Sequence, residues 1–188
     1  MLRPETISLV LYALLSQATQ ICAVWPLPRQ FNTGSVGLRL GNNFSIHLSG
    51  PLEYNAPPDL RDAISRTLVE LRDNRMERLS VGGASADAFR LSHAESLNTL
   101  RLEITSPTSH QIPSISQNSI LPLGERNEAY TLRIPSDGSA ATLKALSTLG
   151  LFRGLTTFLQ LWYWSGSVSY TVQAPIDIED TPAYVSWE

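Results

Sequence analysis

The sequence predicts an α+β fold, in which an antiparallel β-sheet carries two α-helices on one of its faces. Several short stretches alternate apolar and polar residues, which is typical of half-buried strands. Two longer stretches repeat apolar residues every three to four positions, which predicts helices with one buried side. The predicted order is strand–strand–helix–strand–strand–strand–helix–strand, and its tight connections favour antiparallel pairing.

Composition limits the classes of function. The chain has 188 residues, of which 43% are hydrophobic and 16% charged, enough for one domain with a substantial core. A net charge of −3, spread along the chain, gives no reason to expect nucleic acid or an anionic membrane surface as a partner. No apolar run reaches the ~20 residues of a membrane-spanning helix.

Residues 1–23 have the parts of a secretory signal peptide. Arg3 precedes a short apolar run from Ile7 to Leu15, and Ala23 offers a small residue at the cleavage point. The alternative is an ordinary N-terminal helix. Cleavage after Ala23 would remove Cys22, the only cysteine, so we expect a secreted domain without disulfides.

The first two strands are predicted to form a hairpin. Its turn is Gly41-Asn42-Asn43, whose residues tolerate the unusual backbone angles of a tight loop. The sequence Asn43-Phe44-Ser45 is also an N-glycosylation acceptor, which is meaningful in a secreted chain. We therefore expect a glycan on Asn43, at the tip of this hairpin. The alternating apolar residues on either side of the turn are Val36, Leu38 and Leu40, then Phe44, Ile46 and Leu48.

The first helix is predicted to begin at Pro57-Pro58-Asp59 and to end near Asp73. Prolines fit the first helical turn, and the apolar side recurs at helical spacing from Leu60 to Leu71. Three strands are predicted at 100–104, 130–134 and 140–145, and a last strand at 168–172, before Pro175. The polar segment 105–127 is predicted to be a long exposed loop.

The second helix spans Leu146 to Tyr163. Ser147 or Thr148 can cap its first turn, since a hydroxyl there accepts a free backbone N–H. Gly150 and Gly154 weaken a helix but lie on one side of it, where they allow another backbone to approach closely.

Four segments together resemble the N-terminal domain of β-N-acetylhexosaminidases, glycoside hydrolase family 20. The most specific is the Gly-x-x-Arg-Gly-Leu-x-Thr-Phe-x-Gln-Leu pattern from Gly150 to Leu161, with Thr156 where the family commonly has Glu. The others are WPLP from Trp25, AYTLRI from Ala129 and APIDIEDTPAY ending at Tyr184. The order of these segments is that of the family, and the resemblance is to a fungal-type enzyme.

The resemblance implies that residues 24–184 are a hexosaminidase N-terminal, zincin-like domain, which packs on a catalytic (β/α)₈ barrel. The family's barrel removes terminal β-linked N-acetyl-hexosamines by a substrate-assisted mechanism that uses an adjacent Asp-Glu pair. No Asp-Glu dipeptide occurs in this chain, and a barrel needs about 250 residues. Residues 185–188 depart from the family pattern where the barrel would begin. We therefore expect a chain truncated before its barrel, with no catalytic residue of its own.

Cofactor and metal sites are not expected either. The three histidines, His47, His93 and His110, lie far apart without the ligand spacing of a zinc site. A serine-hydrolase triad lacks support because the sequence has no Gly-x-Ser-x-Gly elbow.

The expected functional surface is an interface with the catalytic barrel of the same or a related enzyme. We place it on the second helix and expect five residues to form it, namely Arg153, Gly154, Phe158, Gln160 and Trp162. An alternative from another class is a free-standing glycan-binding module, in which Trp162-Tyr163-Trp164 stack on sugar rings.

Overall fold

A computed structural model describes residues 24–79, 83–105 and 111–181. The predicted signal segment 1–23, the divergent tail 185–188 and the last three residues of the predicted domain lie outside the described residues. Twelve elements follow one another along the described chain. The strands are β1 (Gln30–Ser49), β2 (Glu95–Ile104), β3 (Tyr130–Ile134), β4 (Ala141–Ala145), β5 (Tyr163–Trp164) and β6 (Ser169–Asp180). The helices are α1 (Leu52–Asn55), α2 (Pro58–Asp73), α3 (Gly83–Ala86), α4 (Ala88–Ser92), α5 (Ile115–Ser119) and α6 (Thr148–Gln160).

The six strands form one sheet in the order β1-β2-β4-β3-β6-β5, and β1 also pairs with β6. The first half of β1 runs antiparallel to β6, with Gln30 opposite Glu179. The second half runs parallel to β2, with Ser49 opposite Glu103. Five strands are therefore hydrogen-bonded in a closed circuit, which runs through β1, β2, β4, β3 and β6 and returns to β1.

The predicted α+β class is confirmed, but the sheet is mixed and not antiparallel throughout. β1 pairs with β2 in parallel, and so does β2 with β4. Between β1 and β2 the chain passes through α1 to α4, and a long connection that contains helices brings the next strand back in the same direction. The remaining pairs, including β3–β4 and β3–β6, are antiparallel.

The predicted hairpin at residues 36–48 is wrong, because β1 continues without a turn from Gln30 to Ser49. The residues expected to turn form an irregularity in the ladder instead. Leu40 lies opposite Leu97 and Ser45 opposite Thr99, so residues 41–44 of β1 face a single residue of β2. Glycine suits such a bulge as well as a turn, because Gly41 lies so close to the Asn98 side chain that a methyl group would not fit.

The last strand extends beyond its predicted end. β6 continues through Pro175 to Asp180, because the proline coincides with a break in its pairing with β1. The register shifts there between Thr33, opposite Ile176, and Val36, opposite Ala174. A proline that has no N–H to donate is tolerated where the ladder is already interrupted.

Both long helices lie where the sequence places them. α2 begins at Pro58, with Pro57 as its N-cap, and ends at Asp73, as predicted. α6 is shorter than predicted and ends at Gln160, because Tyr163 and Trp164 pair with β6 as β5. The predicted loop 105–127 contains the helix α5, which has a capping box between Ser114 and Gln117.

The helices α2 and α6 pack on each other and on the same side of the sheet, and one core lies between them and the strands. The side chains without exposed surface that form this core include Leu38, Leu60, Leu97, Leu100, Leu102, Leu132, Leu143, Leu151, Phe158, Ile176 and Ile178.

Candidate functional site

The helix α6 is fixed to the sheet by its cap and by its two glycines. The Ser147 hydroxyl accepts a hydrogen bond from the Gly150 N–H at 3.0 Å, as its predicted capping role requires. A methyl group on Gly150 would lie 2.5 Å from the carbonyl oxygen of Ala129, so the backbones approach closely there. Gly154 lies against the Leu143 side chain of β4. The glycines thus bring this helix closer to β4 and its neighbours than other residues would allow.

Three of the five predicted interface residues belong to the domain's own core, which corrects that part of the prediction. Gly154 and Phe158 are buried, and Trp162 is only 3% exposed. The Phe158 ring stacks on Phe44 of β1 at 5.7 Å and meets the edge of Trp162 at 5.5 Å. These side chains are occupied in holding the helix to the sheet. They leave no surface for another domain to contact.

Arg153 lies on the outer side of α6 and forms an ion pair. Its Nε is 2.6 Å from Oε2 of Glu128, whose side chain is 4% exposed, whereas that of Arg153 is 47% exposed. A buried carboxylate needs such a partner because an unpaired charge is costly inside a protein. The arginine therefore neutralises Glu128 on one side and faces solvent on the other.

Gln160 connects the end of α6 to the N-terminal segment. Its side-chain oxygen accepts a hydrogen bond from the Trp25 N–H at 2.6 Å, and its amide donates to the Trp25 carbonyl at 3.1 Å. Both bonds involve the main chain of Trp25, so the indole is not used and is 83% exposed. The helix thereby presents a large aromatic side chain at the edge of its outer surface.

We call the outer surface of α6 the helix face. It combines apolar and polar groups, which is typical of the surface that one domain presents to another. Its members are Trp25, Phe152, Arg153, Thr156, Leu159 and Gln160, all exposed or half-buried.

Asn43 is exposed, and it lies in the bulged part of β1 rather than in a turn. The neighbouring Phe44 packs inward on Phe158, which fixes this stretch of strand to the core. Ser45, the third residue of the acceptor sequence, has its hydroxyl 2.9 Å from His47 Nε2. The fold leaves the Asn43 side chain at the surface.

A buried polar cluster that the sequence did not reveal joins the segment after α2 to β6. Asp87 is 3% exposed, and its two carboxylate oxygens each lie 3.0 Å from one guanidinium nitrogen of Arg78. The Tyr170 hydroxyl donates a hydrogen bond to Asp87 at 3.0 Å. Burial, followed by the hydrogen bond to this carboxylate, raises the pKa of Tyr170 to about 12. No spacing rule connects these three residues, because they are brought together only by the fold.

A second buried tyrosine hydroxyl lies beneath α6. Tyr130 of β3 and Thr157 are 2.6 Å apart through their hydroxyl oxygens. Burial is the largest influence on this group and raises the pKa of Tyr130 to about 12. Both tyrosines therefore stay neutral at physiological pH and serve as hydrogen-bonding groups of the core.

The described residues contain no group of three or more histidine, cysteine, aspartate or glutamate side chains placed to hold a metal ion. His110 lies outside them. Among the same residues, no helix is both long and apolar enough to cross a membrane.

Comparison with known proteins gives one family. Residues 24–161 match the family described as "beta-acetyl hexosaminidase like". A beta-hexosaminidase of Arthroderma benhamiae is 44% identical over 59 residues, which are 31% of this chain and 10% of that protein.

Solved structures of larger proteins are similar to this chain, and the first of them has the same fold. A chitobiase from Flavobacterium johnsoniae matches with a TM-score of 0.54 and 18% identity, over 85% of this chain and 21% of its own. A Streptomyces plicatus N-acetyl-beta-hexosaminidase matches with a TM-score of 0.49 and 18% identity, over 88% and 27%. The chain thus spans about a quarter or less of the length of these relatives. With the family match over residues 24–161, it belongs to the beta-acetyl hexosaminidase like family, as the N-terminal domain of a glycoside hydrolase family 20 hexosaminidase.

Proposed function

We propose that this chain is the non-catalytic N-terminal domain of a secreted β-N-acetylhexosaminidase and that it docks through the helix face on the catalytic barrel. The observation that carries the proposal is the exposed indole of Trp25 at the edge of that face, where two hydrogen bonds between the Trp25 main chain and the Gln160 side chain tie the N-terminal segment to α6. A large aromatic side chain is the kind of residue that dominates binding energy when an interface buries it.

The charges of the helix face support the same role. Arg153 already neutralises the buried Glu128 and still exposes about half of its side chain, so it can accept a second partner across an interface. Arginine is enriched at interfaces because its planar group forms several hydrogen bonds at once. The barrel of the same enzyme, or of a related one, is the proposed partner.

Catalysis is assigned to the barrel and not to this chain. The family's acid and its neighbouring carboxylate form an Asp-Glu pair, which this sequence lacks. The substrate class of the whole enzyme is proposed from the family to be terminal N-acetyl-hexosamines. Purified chain incubated with a chromogenic N-acetylglucosaminide is expected to release no more chromogen than buffer. Release above that level would contradict the non-catalytic role.

Docking is tested with the full chain and the barrel of a fungal family member made without its own N-terminal domain. We expect the two to co-elute on size exclusion. Trp25→Ala should weaken the affinity about tenfold or more, since the loss of an interface anchor costs at least 1–2 kcal/mol. The matched control is Phe89→Ala in α4, because Phe89 is 80% exposed but does not belong to the helix face. Equal affinities for Trp25→Ala and the unmodified chain would reject the helix face as the interface.

A free-standing glycan-binding module has less support. Two of its three predicted aromatic rings are engaged, since Trp162 is buried and the Arg75 guanidinium lies 4.1 Å from the centre of the Trp164 ring. A platform for a sugar needs an open ring face. Titration with chito-oligosaccharides is expected to leave the tryptophan fluorescence unchanged, and a saturable change would favour this alternative.

Secretion is proposed from residues 1–23. Expression of the full chain in a yeast should deliver it to the medium without these residues, as intact mass would show. A chain that stays in the cytosol at full length would contradict this part of the proposal.

A further inference from the structure

A continuous groove crosses the bulged part of β1, next to the acceptor Asn43. It consists of two adjoining cavities of about 390 Å³ and 360 Å³. The shared floor and wall are formed by Leu40, Gly41, Asn42, Ser167 and Val168, and Asn43 itself lines the first cavity.

The groove lies over the bulge of β1. Residues 41–44 leave the regular ladder there, because four residues of β1 face the single residue Asn98 of β2. A methyl group on Gly41 would collide with the Asn98 side chain, so the absence of a side chain at Gly41 lets Asn98 lie directly against the bulge. The inward packing of Phe44 on Phe158 holds this arrangement in place. The groove is therefore a built feature of the strand.

The lining of the groove has the chemistry of a saccharide site. Around Asn43 it offers amide and hydroxyl groups from Asn98, Ser96 and Ser167, which match sugar hydroxyls and an N-acetyl group. The guanidinium of Arg39 also lines it and forms no hydrogen bond or ion pair with the residues that the structure describes; its Nε is buried. The second cavity adds the apolar side chains of Leu68 and Leu71 and the basic side chains of Arg72 and Arg75.

We propose that Asn43 carries an N-linked glycan and that the innermost sugar of this glycan occupies the groove. The acceptor lies on the rim, so the covalent link holds the sugar at a high effective concentration beside the polar groups. The inference rests on the proposed secretion, because only a chain in the secretory pathway receives such a glycan. The function of the glycan is to cover and stabilise the bulge between β1 and β2.

The first experiment establishes the glycan. The full chain is expressed in a yeast, and intact mass is measured before and after endoglycosidase treatment. Asn43→Gln is expected to abolish the mass increase. The matched control Ser45→Thr keeps the acceptor sequence and the hydroxyl beside His47, and it should retain the glycan. A chain that reaches the medium without a glycan overturns the inference but not the proposed function, whereas retention in the cytosol overturns the secretion as well.

The second experiment locates the innermost sugar. Endoglycosidase H leaves one N-acetylglucosamine on the asparagine, and this trimmed form should melt at the same temperature as the intact glycoprotein. Asn43→Gln should melt about 2–4 °C lower, a shift expected when a domain of this size loses one modest contact. In an Asn98→Ala background, the difference in melting temperature between the glycosylated chain and its Asn43→Gln variant should disappear, because the sugar has lost a partner in the groove. Equal melting of Asn43→Gln and the glycoprotein would refute the docked sugar. Saturable binding of free chito-oligosaccharide by Asn43→Gln would assign the groove to an external ligand and refute it too.

Discussion

Replacing Gly150 with alanine tests how closely α6 approaches the sheet. In an exposed helix, alanine is more favourable than glycine by about 1 kcal/mol, so propensity alone predicts stabilisation. Here the new methyl group would lie 2.5 Å from the Ala129 carbonyl oxygen and 3.0 Å from the Ala145 Cβ. The first contact is with backbone that cannot rotate away, so we expect a cost in the upper part of the usual range for overpacking, about 2–3 kcal/mol.

We expect the steric term to win, and the free energy of unfolding to fall by about 1–2 kcal/mol after the propensity gain is subtracted. For a domain of this size, that corresponds to a decrease of roughly 2–8 °C in melting temperature, measured by circular dichroism with urea unfolding as the second assay. Gly124→Ala is the matched control, because a methyl group there meets no atom within 4 Å. It should be neutral or slightly stabilising. A Gly150→Ala chain as stable as the unmodified one would refute the close approach.

Two further perturbations address the buried hydroxyls and the N-terminal segment. Tyr130 and Tyr170 each have a pKa of about 12, above the ordinary value of 10, so the folded state retains protons that the unfolded state loses. The contribution of these two groups to the free energy of unfolding is fully present below pH 10 and should decline between about pH 10 and pH 12. The melting temperature should fall over the same range, and it should fall less when both tyrosines are replaced with phenylalanine. A double variant with the same pH profile as the unmodified chain would contradict the raised pKa values. Gln160→Ala removes both hydrogen bonds to the Trp25 backbone, which should cost about 1–3 kcal/mol locally and speed hydrogen exchange at residue 25. Unaltered exchange there would show that other contacts hold the segment.

The elements with strong local signals could be predicted from the sequence. Paired prolines and a one-sided apolar stripe located α2 at both ends, and the serine cap located the start of α6. The strands around Leu132 and Leu143 followed from strict alternation. These signals depend on neighbouring residues alone, which is why they survive in the folded domain.

The errors concern arrangements that only distant contacts decide. Gly41-Asn42-Asn43 suits a turn or a bulge equally, and the choice is made by Phe44, which packs on Phe158 more than a hundred residues away. α6 carries apolar residues on more than one side. Helical spacing in the sequence therefore could not distinguish the residues buried in the core from those exposed on the helix face. Trp162 is buried and belongs to the core, whereas Trp25 is exposed and belongs to the helix face. The sequence alone did not indicate Trp25 as an interface residue.

The closed circuit of strands constrains when the domain can form during synthesis. Gln30, the first residue of β1, is paired with Glu179 of β6. The ladder of β1 therefore cannot be completed before β6 has been synthesised. Contacts between positions so distant in sequence carry a large loop-closure cost and slow folding. Until β6 has emerged from the ribosome, half of β1 has no partner on that side. Such an unpaired edge invites association between nascent chains. A nascent chain therefore depends on β6 to cover this edge, and deletion of β6 should favour inclusion bodies.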